Sequence, residues 1–307
     1  MSNLRITESP DQPPFVAVGR ATVRVPGVCG ELVQGMLGPN HFLVTCPIDF
    51  YSRVTVDIFE GTAGVSAPPN CSKSVAAVHT TLAHLGQTGA AATLTISNSI
   101  PRSKGMGSSS ADVTGAIAAT GLALGQQLSP SVIGELALLV EPSDGVMFPG
   151  IALFDHREGS IVEEIGPPPP MEIVAVDFGG TVDTLEFNKI DHNDAWHSIE
   201  SVTQQALDLV RQGILEGTPT LVGQGASISA QAGQRILEKP QLPRVLDFVE
   251  SVGAVGVCVA HSGTIIGVLL DARERRGKST FRRAREAFAD AEMVHHFRLM
   301  SGGVQVV

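Results

Sequence analysis

"PRSKGMGSSSADVTGAIAATGLALG", Pro101 to Gly125, sets two glycines and three serines directly before a run of small and apolar residues. The preceding "AATLTISNSI" alternates as a strand does and stops at Pro101, so the passage reads strand, loop, helix. A helix N-terminus leaves its first amides without carbonyl partners and carries the positive end of the helix dipole. Glycines at its mouth permit positive φ and close backbone approach. Gly-Met-Gly-Ser-Ser-Ser running into a helix is therefore a candidate phosphate cradle. Its hydroxyls are hard oxygen donors of the kind Mg²⁺ takes, and Lys104 is a cation beside the loop. A Gly/Ser turn capping an ordinary helix remains the alternative. The small residues of "ADVTGAIAA" call for close packing under either reading.

Two other phosphate devices fail. "RGKST" (Arg276 to Thr280) has Gly-Lys-Ser, but the residue five before Gly277 is Ala272, so there is no Walker loop. Gly105 and Gly107 are followed by Ser110 where a dinucleotide fingerprint needs a third glycine.

A chain of 307 residues with 43% hydrophobic and 17% charged residues has ample core and suggests two domains. The formal charge of -10 disfavours a nucleic-acid or anionic-lipid face. The four cysteines, Cys29, Cys46, Cys71 and Cys258, form no CxxC pair and read as free thiols. The first residues, "MSNLRITESPDQPPF", lack the apolar segment of a signal peptide and read as a loose tail. No apolar run is long enough for a membrane span. The expectation is a cytoplasmic chain.

Strand patterns cover "AVGRATVRV" and "HFLVTCPIDFYSRVTVDIFE", the latter read as two runs broken at Pro47. Helical patterns cover "SKSVAAVHTTLAHLG" and a segment opening at Ser129 as N-cap, with Pro130 in the first helical position. "GIALFDHREGSIVEEIG" reads as a hairpin. "GPPPP" (Gly166 to Pro170) is the best boundary, since four prolines continue neither helix nor central strand. It divides the chain into residues 1–165 and 166–307. The second half interleaves helices and strands: "MEIVAVDF", helices near "AWHSIESVTQQALDLVRQGIL", "TPTLVGQGASISAQAGQRIL" and "LPRVLDFVESV", two strands in "GAVGVCVAHSGTIIGVLLD", a basic helix and a last strand. Arg282, Arg283 and Arg285 of that basic helix read as a solvated face.

"PRSKGMGSSSA" resembles the P-x-x-x-G-L-G-S-S-A signature of the GHMP kinases, with Met106 for Leu and Ser110 for Ala. "VPGVCGELVQG" (Val25 to Gly35) resembles the family's N-terminal substrate segment. "GAVGVCVAHSG" (Gly253 to Gly263) resembles its glycine-rich C-terminal motif, with fewer glycines. Within the family, "CGELVQG", "CPIDFYSRV", "KGMGSSSAD", "EPSDG" and "ALFDH" are most similar to the branch that phosphorylates L-threonine for cobalamin assembly. The resemblance implies an α+β fold of two domains. The N-terminal one would carry a ribosomal-protein-like β-α-β unit and the phosphate loop, the C-terminal one would be ferredoxin-like, and ATP would lie in the cleft. It also implies a small-molecule acceptor, with homoserine, another amino alcohol or a non-catalytic nucleotide-binding role as alternatives.

On that footing, Lys104, Gly105, Met106, Gly107, Ser108, Ser109 and Ser110 are expected to hold ATP, and Ser109 stands where the family serine meets Mg²⁺. Glu141, beside the Pro142 break, is the candidate carboxylate ligand, with Glu135 the competing choice. Asp144 in "EPSDG" matches the family position that accepts the acceptor's proton, and Lys104 would stabilise charge on the transferring group. Threonine's ammonium needs an acid: Glu31 and Asp49 are the candidates, with Cys29, Gly30 and Tyr51 shaping that wall. Asp183, Thr184, Ser229, His261 and Ser262 are further candidates on the acceptor side.

Overall fold

The structure, a computed structural model, describes residues 16–61, 64–180 and 193–307. The tail expected at the N-terminus and the candidates Asp183 and Thr184 lie outside the described residues.

Two long antiparallel strands form the spine, β1 (Ala17–Leu37) and β2 (Asn40–Phe59). Pro47 does not break β2. It sits opposite Val28, and the register of β1 shifts on both sides of that pair. A proline has no N–H for the ladder, so the irregularity is absorbed as a bulge in the partner strand. The amide of Val28 is freed by this and donates to the carbonyl of Met106 at 3.0 Å. The bulge thus ties the spine to the loop quoted first.

The first half adds β3 (Gly64–Ser66), α1 (Ser72–His84), β4 (Ala91–Asn98), α2 (Ser108–Ala123) and α3 (Pro130–Leu138), then a hairpin of β5 (Ile151–Phe154) and β6 (Val162–Gly166). Ser129 caps α3 as expected, its hydroxyl accepting from the Val132 amide at 3.3 Å. The second half adds β7 (Met171–Asp177), α4 (Asn193–Leu215), α5 (Pro219–Ala232), α6 (Leu242–Val252), β8 (Gly256–Val259), β9 (Ile266–Asp271), α7 (Gly277–Ala287), β10 (Met293–Arg298) and β11 (Gln305–Val306). Arg282, Arg283 and Arg285 are exposed on α7.

All the described strands share one sheet, ordered β10-β7-β9-β8-β1-β2-β4-β3, with β11 on β1 and the β5–β6 hairpin on β2. The halves join where Glu31 of β1 pairs with Val259 of β8. The main core runs across the proline stretch, from Val23 and Ile117 through Phe154 to Leu207, Val222 and Leu299. A second cluster, including Val174, Phe248, Val257 and Phe288, fills the space under α6 and α7. No described helix is long and apolar enough to cross a membrane.

Helix α2 shows what its small residues are for. It is buried on nearly every face and lies against β1, β2, α1 and α3. A Cβ on Gly115 would come within 2.6 Å of Val54 Cγ2. A larger residue there would lift the helix off the sheet and move its N-terminus with it.

Candidate active site

The N-termini of α1 and α2 open on one cavity of about 330 Å³. Neither is capped by a side chain: Gly107 is the N-cap of α2 with φ 65°, and Cys71 is that of α1. The first amides of both helices are thus available to an anion. Gly105, with φ 77°, is pressed so closely on Ala260 that a Cβ would lie 2.2 Å from the alanine Cβ. The Lys104 carbonyl accepts from the amides of Thr264 and Ile265, each at 3.1 Å. The loop is therefore fixed from two sides, by β1 and by the Gly253–Gly263 motif.

Behind the loop, Asp112 of α2 accepts from Ser52 Oγ at 2.6 Å and from Asn98 Nδ2 at 2.7 Å. Asn98 Nδ2 also donates to the Ser108 carbonyl at 3.2 Å. These bonds lock the helix mouth to β2 and β4. Burial raises the Asp112 carboxyl, with the Ser52 and Asn98 bonds opposing. Sequence reasoning missed both positioning residues, because their partners are 14 to 60 residues away.

Ser109 Oγ donates to Glu141, which also pairs with Lys73 of α1. A hydroxyl and a carboxylate side by side on this cavity are hard oxygen donors suited to Mg²⁺, which takes one or two protein oxygens and completes its shell with phosphate and water. Glu141 lines the cavity, whereas Glu135 is exposed on α3. Three residues on, the amide of Asp144 donates to Ser110 Oγ at 3.1 Å. A Cβ on Gly107 would lie 3.0 Å from Asp144 Oδ2. Burial pushes the Asp144 carboxyl up to about 6, with hydrogen bonding to Ser110 opposing and the charge of Glu141 adding to it.

Glu31 also lines the cavity. It is 4% exposed, and its Oε2 has no hydrogen-bond partner among the described residues. Burial first, then the neighbouring charges of Asp144 and Cys258, hold its carboxyl well above the usual range. His261 and Ser262 reach the same space.

Other candidates stand elsewhere. The side chain of Lys104 turns away from the cavity to Asp177 Oδ2 at 2.7 Å and Glu292 Oε2 at 3.0 Å. A carboxylate as buried as Asp177, 1% exposed, needs a cation. The cationic side chains lining the cavity are instead Lys73 and Arg102, which no local motif singled out. Asp49 is exposed and accepts from the Arg298 amide at 2.7 Å. Tyr51 lies under the Arg24 guanidinium, 4.6 Å from its ring centre. Cys29 is fully buried, and Gly30, φ 62°, packs on the Val259 backbone. Ser229 accepts from the Gln34 amide at 3.1 Å, behind the wall rather than on it.

A family model described as "GHMP kinases N terminal domain" matches residues 72–149, the span that holds both helix mouths and the Glu141–Asp144 turn. The L-threonine kinase of Salmonella typhimurium is 30% identical over 298 residues, covering 93% of this chain and 95% of the relative. The chain belongs to the GHMP kinase family. An L-threonine kinase of Citrobacter freundii is 31% identical over 82% of this chain and 86% of its own. Among solved structures, a homoserine kinase from Cytophaga hutchinsonii superposes with a TM-score of 0.72 over 99% of this chain and 100% of its own, at 15% identity. That likeness shows the α+β fold. As a member of the family the chain is an ATP-dependent kinase with a small-molecule acceptor.

Proposed function

We propose that this kinase transfers the γ-phosphate of ATP to the side-chain hydroxyl of L-threonine, giving O-phospho-L-threonine. The observation that carries the reading is the placement of Asp144 and Glu31 on the cavity onto which the uncapped α2 N-terminus opens. The helix amides suit a triphosphate, and the two acids on the same cavity suit an amino alcohol. The relatives named L-threonine kinase choose the acceptor.

The amides of Ser108 to Ser110 hold the phosphates, with Lys73 and Arg102 adding positive charge. Ser109 and Glu141 would hold Mg²⁺, which when bound neutralises charge on the phosphate oxygens. Asp144 takes the proton of the acceptor hydroxyl. Its carboxyl, raised to about 6, is a better base than an ordinary aspartate and is still ionised at pH 7. Glu31 receives the ammonium: a buried carboxyl that resists ionising alone ionises readily beside a cation. Lys104, paired with Asp177, acts by holding the loop. Mg²⁺ dependence, a cytoplasmic location, a place in cobalamin assembly and the division into domains 1–165 and 166–307 belong to the same proposal, on the resemblance of the motifs.

The test is a phosphorus-31 NMR assay with ATP, Mg²⁺ and a panel of hydroxy amino acids. Phosphothreonine should form fastest. Equal or faster phosphorylation of homoserine or serine would sink the assignment to threonine.

A further inference from the structure

His156 follows β5 and lines the cavity, yet no step above uses it. It is 4% exposed, and among the described residues neither of its ring nitrogens has a hydrogen-bond partner. Its carbonyl accepts from the Ser143 amide at 3.0 Å, which binds it to the turn carrying Asp144. Phe154, two residues earlier, pairs with Leu43 of β2, another lining residue. The His156 ring meets His261 edge-on, with centroids 5.0 Å apart. Burial holds His156 down at about 3, so the ring stays neutral and keeps one N–H and one lone pair. A buried donor left without an acceptor is destabilising, so a ligand that accepts from it is favoured.

An amino acid brings such an acceptor, its carboxylate. The cations lining the cavity, Lys73 and Arg102, stand at the phosphate end beside Glu141 and Asp112. His261 Nδ1 is already hydrogen-bonded to Gln34 Oε1 at 2.7 Å. Behind Ser262, the Lys239 ammonium is 7% exposed and donates to the Gly263 carbonyl at 2.9 Å. Its charge acts on His261, and the Arg157 guanidinium, next in sequence to His156, acts on both rings.

We propose that His156 is a specificity-determining residue whose ring N–H donates to the carboxylate of the amino-acid acceptor, while Glu31 takes the ammonium. This deepens the amino-acid kinase reading and rests on it. The test compares L-threonine with 1-amino-2-propanol, the same amino alcohol without its carboxylate, as substrate or as competitive inhibitor of the full chain. Replacing the donor in His156→Leu should raise the KM for threonine about tenfold or more, the loss of one such bond. The constant for 1-amino-2-propanol and the Kd of a non-hydrolysable ATP analogue should stay within about twofold. His156→Gln, which keeps an N–H, should recover most of the threonine KM. An unchanged threonine KM in His156→Leu, or equal weakening of both acceptors, overturns the proposal. Should melting show that the leucine variant does not fold, His156→Phe, which keeps a ring and removes the N–H, takes its place: a selective loss for threonine supports the role, and an unchanged threonine KM or equal weakening of both acceptors contradicts it. A wild-type chain that phosphorylates no amino acid overturns both readings, whereas failure at His156 alone leaves wild-type turnover intact.

Discussion

In the proposed reaction Asp144 takes the acceptor's proton, and its environment sets the pH at which it would work. With its carboxyl raised to about 6 by burial, the free enzyme should lose kcat/KM as pH falls through about 6, where an ordinary aspartate would act down to about 4. Asp144→Asn should lower kcat by about 10²–10⁴-fold while the Kd of an ATP analogue holds, a split that rapid-quench and titration data would show. Glu141→Gln should raise the Mg²⁺ concentration needed for half-maximal rate by about tenfold or more, removing one of two protein oxygens. An unchanged requirement would place the metal elsewhere. At this scale the sequence was legible where chemistry is written in contiguous residues: Gly105 to Ser110, Glu141 and Asp144 meet on one cavity. It was silent where long-range pairing decides. Lys104 follows the buried Asp177 rather than the phosphates, Tyr51 is covered by Arg24, Lys73 reaches the cavity from a segment with no motif, and His156 reaches it from "ALFDH", whose likeness gave that histidine no role.

The elements act by aiming two helix mouths. Gly115 is the position where α2 meets the sheet most closely. Gly115→Ala sets a Cβ 2.6 Å from Val54 Cγ2 and should cost about 1–3 kcal/mol of stability by overpacking, visible in denaturant melts. Because α2 carries the phosphate loop, ATP-analogue affinity should fall with it, whereas an exposed α3 change such as Glu135→Ala should move neither. Helix positions were readable from their caps and small-residue patterns, as Ser129 and Gly115 show. The fate of Pro47 was not. A proline looks like a strand end in one dimension, but a neighbouring strand that bulges at Val28 lets β2 continue. That accommodation belongs to the partner strand and is invisible in the proline's own neighbourhood.

In the whole molecule, one sheet and one main core span both sides of Gly166–Pro170, so the loop is held by both halves. The buried titratable groups of the site also couple it to stability, in opposite senses. His156 is held at about 3 against an ordinary 6.5. Below about 6.5 the unfolded chain binds a proton that the folded chain refuses, so this contribution is full above that pH and is lost on acidification. Asp144, raised to about 6, runs the other way: its penalty is full above 6 and fades as pH falls toward the ordinary 3.8. The difference between wild type and His156→Gln isolates the first effect. The variant should gain on wild type by about 1.4 kcal/mol per pH unit below 6.5, and parallel melting curves would contradict this. The proposed transfer turns on main-chain amides at the start of α2 holding the triphosphate. Amide-resolved NMR of the full chain, titrated with Mg²⁺ and a non-hydrolysable ATP analogue, tests that directly. The largest saturable shifts should fall on Gly105 to Ser110; saturable binding that leaves those amides unmoved and perturbs another surface would contradict it.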